Sequence, residues 1–290
     1  MLLSLMDRVP AGWIRAAGAL RGKSAWLKRM TDWLPALLRH REGRIQRGLG
    51  RGLRFNGANS AVGFLLGTHD LEVQYTLGRL LRPGMTVYDI GANVGFTAVL
   101  AARCVSPTGQ VICFEPLEYN AKQIRHNAQL NGFESIQVRQ VALGGADGEA
   151  EFFVSQSPTW GRLARADAAP LQSGVTRVPV RSLDSLASHD GLPAPHFIKM
   201  DVEGAEADVL RGGQELLAAA QPVMVIELHH TYAAVIDALA GLNYEVRPLT
   251  ESGDATGTDG EFQMLAYPQA RFDAQAVWSD RLLSKTMVSA

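Results

Sequence analysis

Apolar and polar positions follow two different periods along this chain. In the N-terminal part, Trp26, Leu27, Met30, Trp33, Leu34, Leu37 and Leu38 fall on one face of a helix, while Lys28, Arg29 and Asp32 lie off it. Pro35 is expected to kink or interrupt that helix. Gly48-Leu49-Gly50-Arg51-Gly52 reads as a loop or linker. From about residue 70, short apolar runs alternate with helical stripes. Helices are predicted over 71–81, 96–104, 117–131, 205–219 and 232–242, with a helical turn at 183–187. Strands are predicted at 85–90, 111–114, 136–141, 150–154, 175–180, 196–202 and 223–227, and a closing pair at 244–249 and 262–267. Such alternation predicts an α/β fold, a mainly parallel sheet with helices on both faces. The polar, small-residue stretch 155–174 is too long for an ordinary connector and is a candidate lid or binding loop. No internal repeat is visible. The pattern divides the chain into an α-helical N-terminal extension, 1–60, and an α/β domain, 61–290.

Size and charge sharpen this division. With 290 residues and 47% hydrophobic content, the chain can build one large core and carry an extension. Residues 1–60 hold 12 Lys/Arg against 3 Asp/Glu, a net of +9, and the remainder is net −10. A basic head suits an anionic membrane, nucleic acid or an acidic carrier, and it suits its own acidic body equally well. Tryptophans beside cations suit a peripheral membrane contact through residues 1–47, although burial is the commoner fate of such a stripe. Burial of the stripe against the domain, or against a second copy in a homodimer, is the competing fate. Leu2-Leu3-Ser4-Leu5-Met6 is too short for a secretory signal, and no apolar run is long enough to span a bilayer, so the expected location is cytoplasmic. Cys104 and Cys113 form no disulfide or metal framework and read as buried packing residues.

The candidate chemistry begins at Val87-Tyr88-Asp89-Ile90-Gly91-Ala92-Asn93-Val94-Gly95-Phe96, an apolar strand running into a glycine turn that opens a helix. This arrangement brings bare backbone N–H groups up to a ligand. Glu115, at the end of the next apolar run, is placed to take the hydroxyls of a ribose. A dinucleotide fingerprint would need glycine at 93 and 96, where Asn93 and Phe96 stand. The acid Asp89 in front of the turn suits a cationic amino-acid tail, such as that of S-adenosylmethionine, better than a pyrophosphate.

A second cluster lies on the strand Phe197-Ile198-Lys199-Met200-Asp201-Val202-Glu203. A central parallel strand should be apolar on both faces. Here Lys199, Asp201 and Glu203 alternate with apolar residues and share a face as far as the chain stays extended. Glu227, His229 and His230 end the following strand. Asp201 is expected to be functional. Lys199, Glu206 and His230 read as a neutralising charge network, and Glu203, Glu227 and His229 fit either reading. No ligand set demands a metal, although Asp201 with Glu227 offers oxygens of the kind Mg²⁺ takes.

Asp89-Ile90-Gly91-Ala92-Asn93-Val94-Gly95, Glu115-Pro116 with Asn120, and Ile198-Lys199-Met200-Asp201-Val202-Glu203-Gly204-Ala205-Glu206 together resemble the FkbM family of S-adenosylmethionine-dependent methyltransferases. The resemblance covers roughly residues 65–230. The Asp-Val-Glu-Gly-Ala-Glu segment is its more specific part. A family-like Gly-x-Tyr-Glu stands here as Gly67-Thr68-His69-Asp70. The resemblance implies a class I, Rossmann-like fold whose seven-stranded sheet ends in an antiparallel strand. It also implies methylation, usually of a hydroxyl oxygen, on a natural product, sugar or glycolipid. Carried over position by position, Asp89 and Gly91, Ala92, Asn93 and Gly95 should hold the methionine part of S-adenosylmethionine. Glu115 should hold the ribose, and the backbone at Ala142 and Leu143 should border the adenine. Asp201 should lie near the methionyl ammonium or the acceptor. Candidate bases are His229, Glu203 and Asp201. Two other classes compete. An RNA or other nucleic-acid methyltransferase would suit the basic head, but the added carboxylates around Asp201 would repel phosphates. A non-catalytic cofactor-binding module would not need the polar cluster at 201–203 and 227–229.

Overall fold

The computed structural model describes residues 41–58, 61–154, 161–163, 174–249 and 261–268. The tryptophan stripe, most of the 155–174 stretch and the loop 250–260 lie outside the described residues. The chain divides into two compact units, and the division falls at Arg79 and Leu80.

In the first unit, β1 (Glu42–Arg44) and β2 (Arg54–Asn56) pair antiparallel across the glycine-rich segment expected to be a loop. Two helices follow, Ala61–Leu66 and Leu71–Leu80. Buried Gln74 ties them to the hairpin loop: its Oε1 accepts the Leu49 N–H at 3.0 Å and its Nε2 donates to the Gly67 and His69 carbonyls at 3.2 and 2.6 Å. A buried amide is stable only with its hydrogen bonds made, and here they hold the turn between the helices.

The second unit contains β3 (Thr86–Ile90), β4 (Gln110–Phe114), β5 (Ile136–Arg139), β6 (Ala142–Leu143), β7 (Gly148–Val154), β8 (Gly161–Leu163), β9 (Val175–Arg181), β10 (Phe197–Met200), β11 (Val223–His229), β12 (Tyr244–Pro248) and β13 (Glu261–Pro268). Seven of these strands form one sheet in the order β12-β13-β11-β10-β3-β4-β5. The central pairs are parallel, and β13 runs antiparallel to both β11 and β12. This is the class I methyltransferase arrangement. Side chains alternate, so Tyr88, Ile90, Ile112, Phe114, Ile198, Met200 and Ile226 point to one face, where they pack on Leu183, Leu210, Leu217 and Val235 of the covering helices. Val87, Val111, Cys113, Phe197 and Val225 on the opposite face are buried as well. Burial on both faces is why these strands read as nearly continuous apolar runs. The remaining strands form a four-stranded sheet in the order β6-β9-β7-β8.

Four local expectations change. The strand expected over 196–202 stops at Met200, because Glu203 and Gly204 take positive φ angles of 52° and 104° and turn the chain out of the ladder. The helix expected over 205–219 is two helices, Glu206–Arg211 and Gln214–Ala220. At the break, a Cβ on Gly212 would sit 2.2 Å from the Gly144 carbonyl oxygen, so the chain needs glycine there to pass. The strand expected over 136–141 ends at Arg139, and the next strand, β6, starts at Ala142 and belongs to the other sheet. Cys113 is buried as expected, whereas Cys104 is only partly buried.

Candidate active site

The strand order reverses between β3 and β10. The chain leaves β3 towards β4 on one side and returns to β10 on the other. Loops leaving the carboxyl ends of these two strands diverge, which opens a crevice at that edge of the sheet. The β3 loop is strapped down on both sides. Gly91 and Ala92 donate N–H bonds to the Phe114 carbonyl at 3.0 and 3.2 Å, and Asp201 donates its N–H to the Ile90 carbonyl at 3.0 Å. Gly91 has a φ of +76°, and a Cβ there would lie 1.7 Å from the Asp201 carbonyl oxygen. Only glycine lets the two loops meet this closely.

A cleft opens at this point. Its polar wall includes Asn93, Glu115, Asn120, Asp201 and Glu203, and its apolar wall includes Phe114, Leu117, Val141, Leu143 and Phe152. Gly91 and Ala142 also line it. Glu115 is 5% exposed and is held in place by two backbone donors, the N–H of Asn93 to Oε2 at 2.9 Å and the N–H of Leu117 to Oε1 at 3.0 Å. The side-chain oxygens of Asn93 and Asn120 are buried and lack a hydrogen-bond partner among the described residues. Two orphaned acceptors beside a carboxylate fit a ligand that brings hydrogen-bond donors.

Burial raises the Glu115 carboxyl from 4.5 to about 7, against the pull of its hydrogen bonds from Leu117, Asn120 and Asn93. This shift has a stability signature. Between pH 4.5 and about 7 the folded chain keeps a proton that the unfolded chain has released. Folding stability therefore falls as pH rises through that window, and the cost is fully present above pH 7. Relative to Glu115→Gln, which carries no such proton, the wild type should lose on the order of 3 kcal/mol across the window. Urea unfolding of both proteins at fixed salt checks this, and parallel pH profiles would show that Glu115 does not titrate there.

The second group of polar residues surrounds His229. Its Nδ1 lies 3.0 Å from Glu206 Oε1, and its Nε2 lies 3.5 Å from Glu203 Oε2 and 3.8 Å from Asp201 Oδ1. Glu206 is fully buried and also accepts the Gly204 N–H at 2.9 Å and the Thr231 hydroxyl at 2.7 Å. Burial alone would lower the His229 pKa. The Glu206 hydrogen bond and the charges of Glu203, Glu206 and Asp201 outweigh it and raise it from 6.5 to about 9. Lys199 is buried at the foot of the group, with Nζ 3.0 Å from Asp201 Oδ2. Asp201, Glu227 and His229 each bring one polar atom within 4.8 Å of the others. That grouping is compact enough for a cation, but Asp201 is already paired with Lys199.

The residues singled out from the sequence thus fall into three places. Gly91, Asn93, Glu115, Ala142, Leu143, Asp201 and Glu203 line the cleft. His229 stands behind Asp201 and Glu203, off the cleft wall. Asp89, Ala92 and Gly95 are buried and do not line it. Asp89 sits in register with Lys199 on β10 and Cys113 on β4. Burial and then the Asp201 charge raise its pKa to about 6, opposed by the Lys199 charge and the Ala98 backbone N–H. Gly95 serves packing, since a Cβ there would press on Ile124 at 3.2 Å. Phe152 and Val141 were not legible as wall residues. Phe152 comes from β7 of the smaller sheet, and Val141 from the step between the two sheets. Glu206 carried a signal, a charge repeated within one short acidic motif, but the sequence did not show its full burial.

A family model described as the methyltransferase FkbM domain matches residues 89–246. The 2-O-methyltransferase NoeI of Sinorhizobium fredii is 30% identical over 171 residues, covering 54% of this chain and 69% of NoeI. Methyltransferase 1 of Beauveria bassiana is 29% identical over 143 residues, which is 43% of this chain and 57% of that protein. Among solved structures, the methyltransferase FkbM from Methylobacillus flagellatus KT aligns with a TM-score of 0.45 and 20% identity, covering 65% of this chain and 45% of that one.

Proposed function

The chain belongs to the methyltransferase FkbM domain family, and from that premise we propose that it transfers the methyl group of S-adenosylmethionine to a hydroxyl oxygen on a natural product, sugar or glycolipid. The observation that supports this most directly is one cleft at the strand-order reversal carrying Glu115 on one loop and Asp201 with Glu203 on another. Glu115 would accept the ribose hydroxyls in charge-assisted hydrogen bonds. The apolar wall, with Leu143 and Phe152, would border the adenine. Asn93 and Asp201 would meet the cationic methionyl end. The cofactor's sulfonium supplies the electrophilic methyl group and loses its charge as the methyl leaves.

The chain's own residues have two tasks. They must hold the acceptor oxygen in line with the departing bond at near-attack distance. They must also receive the hydroxyl proton during or after attack. Asp201 and Glu203 stand on the cleft wall for the second task, and His229 stands directly behind them. The concentration of carboxylates around the acceptor side disfavours a phosphate-rich nucleic acid. Hydroxyl methylation also accords with the relative described as a 2-O-methyltransferase. Incubation of the protein with methyl-labelled S-adenosylmethionine and fractionated glycan, glycolipid and RNA extracts tests the reading. Label is expected in an alkali-stable ether of the glycan or lipid fraction. Label in RNA alone, or in no fraction despite cofactor binding, would replace it with one of the rival classes.

A further inference from the structure

Glu206 does not line the cleft, yet its carboxylate lies within the polar group around His229 and is bound there by several donors. It is fully buried at the first turn of the helix Glu206–Arg211. Three donors converge on it: the Gly204 N–H at 2.9 Å, the Thr231 hydroxyl at 2.7 Å and His229 Nδ1 at 3.0 Å. Each comes from a different part of the chain, the turn after β10, the loop after β11 and the end of β11. A buried carboxylate is costly unless its lone pairs are used, and these three bonds use them. The consequence falls on the imidazole. With Nδ1 turned to a carboxylate oxygen that already accepts from Gly204, Nδ1 is the donor.

We infer that Glu206 is the positioning residue of the site, holding His229 with Nδ1–H inward so that Nε2 is the edge presented to Asp201 and Glu203. This rests on the reading of the cleft as a hydroxyl-methylating site, and it adds the group that fixes which nitrogen of His229 can exchange a proton with the cleft. The logic is that of a carboxylate, an imidazole and a hydroxyl in series, in which the carboxylate sets the tautomer and orientation of the ring and does not itself take the proton. In the proton transfer, the acceptor hydroxyl forms its new oxygen–methyl bond as the sulfur–methyl bond breaks. The released proton passes to the wall carboxylates Asp201 and Glu203, which His229 faces through Nε2. Other charged groups face the same ring, Glu227 on its own strand and Lys199 through Asp201. None of these contacts Nδ1 among the described hydrogen bonds, so the assignment of that nitrogen belongs to Glu206.

The test reads the ring directly. Nitrogen-15 NMR of the full chain, followed up in pH from about 9 until the His229 ring has lost its second proton, should show Nδ1 protonated and Nε2 bare in the wild type. Glu206→Gln keeps an oxygen acceptor and should preserve that tautomer. Glu206→Met removes the acceptor with little change of shape and should release the ring to the Nε2–H form or a mixture. An Nε2–H ring in the wild type overturns the inference without need of any variant. So does an unchanged tautomer in folded Glu206→Met. Calorimetric titration of S-adenosylmethionine into the same samples separates this result from the functional reading. Wild-type protein that shows the Nδ1–H ring but binds no cofactor would leave the positioning intact and remove the methyltransferase role.

Discussion

Glu115→Ala is expected to weaken S-adenosylmethionine binding by about 100-fold or more while the protein stays folded. Each hydrogen bond to a charged group contributes about 1.5–3 kcal/mol, and tenfold in affinity is about 1.4 kcal/mol, so losing both ribose contacts reaches this range. The same carboxylate accepts the Asn93 and Leu117 amides, so its removal also loosens the loop that faces the ligand. The fold should survive, because a buried carboxyl with a raised pKa is itself a cost to the folded state above neutral pH. Isothermal titration of wild type and variant measures the effect. Equal affinities would show that Glu115 only braces the loop. Wild type binding NADH instead of S-adenosylmethionine would overturn the cofactor assignment.

Asp201→Asn is expected to reduce methyl transfer by about 100- to 10,000-fold, the usual range for a positioned acid–base group. Three features single out this carboxylate. It lines the cleft, its backbone N–H fixes the end of β3, and it lies within 4 Å of both Lys199 and His229. Asparagine keeps the shape and an acceptor for Lys199 but removes the charge paired with that buried ammonium, so some stability is lost and thermal unfolding is measured alongside to select a temperature at which the variant is folded. Turnover and cofactor affinity measured together sort the outcomes. Lost turnover with retained affinity places Asp201 at the acceptor, whereas loss of both places it at the methionyl end. Near-normal turnover makes it structural.

Both predictions rest on residues that were visible before any coordinates. The strand–glycine turn–helix at residues 86–105 was legible because an apolar run, two glycines and a helical stripe are local signals. Glu115 was legible for the same reason, as an acid ending an apolar strand. The alternation at Lys199, Asp201 and Glu203 was a correct signal with an inexact mechanism. Asp201 and Glu203 do meet at His229, with Lys199 paired to Asp201, but the strand ends at Met200, and Glu203 reaches the ring from the left-handed turn at Glu203 and Gly204. A strand period extrapolates straight ahead and cannot foresee a turn set by its neighbours.

The sequence by itself determined the order of elements, the parallel core and which loops would carry polar chemistry. These follow from the spacing of apolar side chains and from glycine's freedom, and both act within a few residues. The tertiary structure alone decided what each polar residue faces. It buried Asp89 in register with Lys199 instead of placing it on the cleft wall. It brought Phe152 to that wall from another sheet and set Glu206 behind His229 across 23 residues of chain. It also broke one expected helix at Gly212, where the Gly144 backbone passes too close for a side chain. Each of these depends on contacts between segments remote in sequence, where packing and desolvation outweigh local preference.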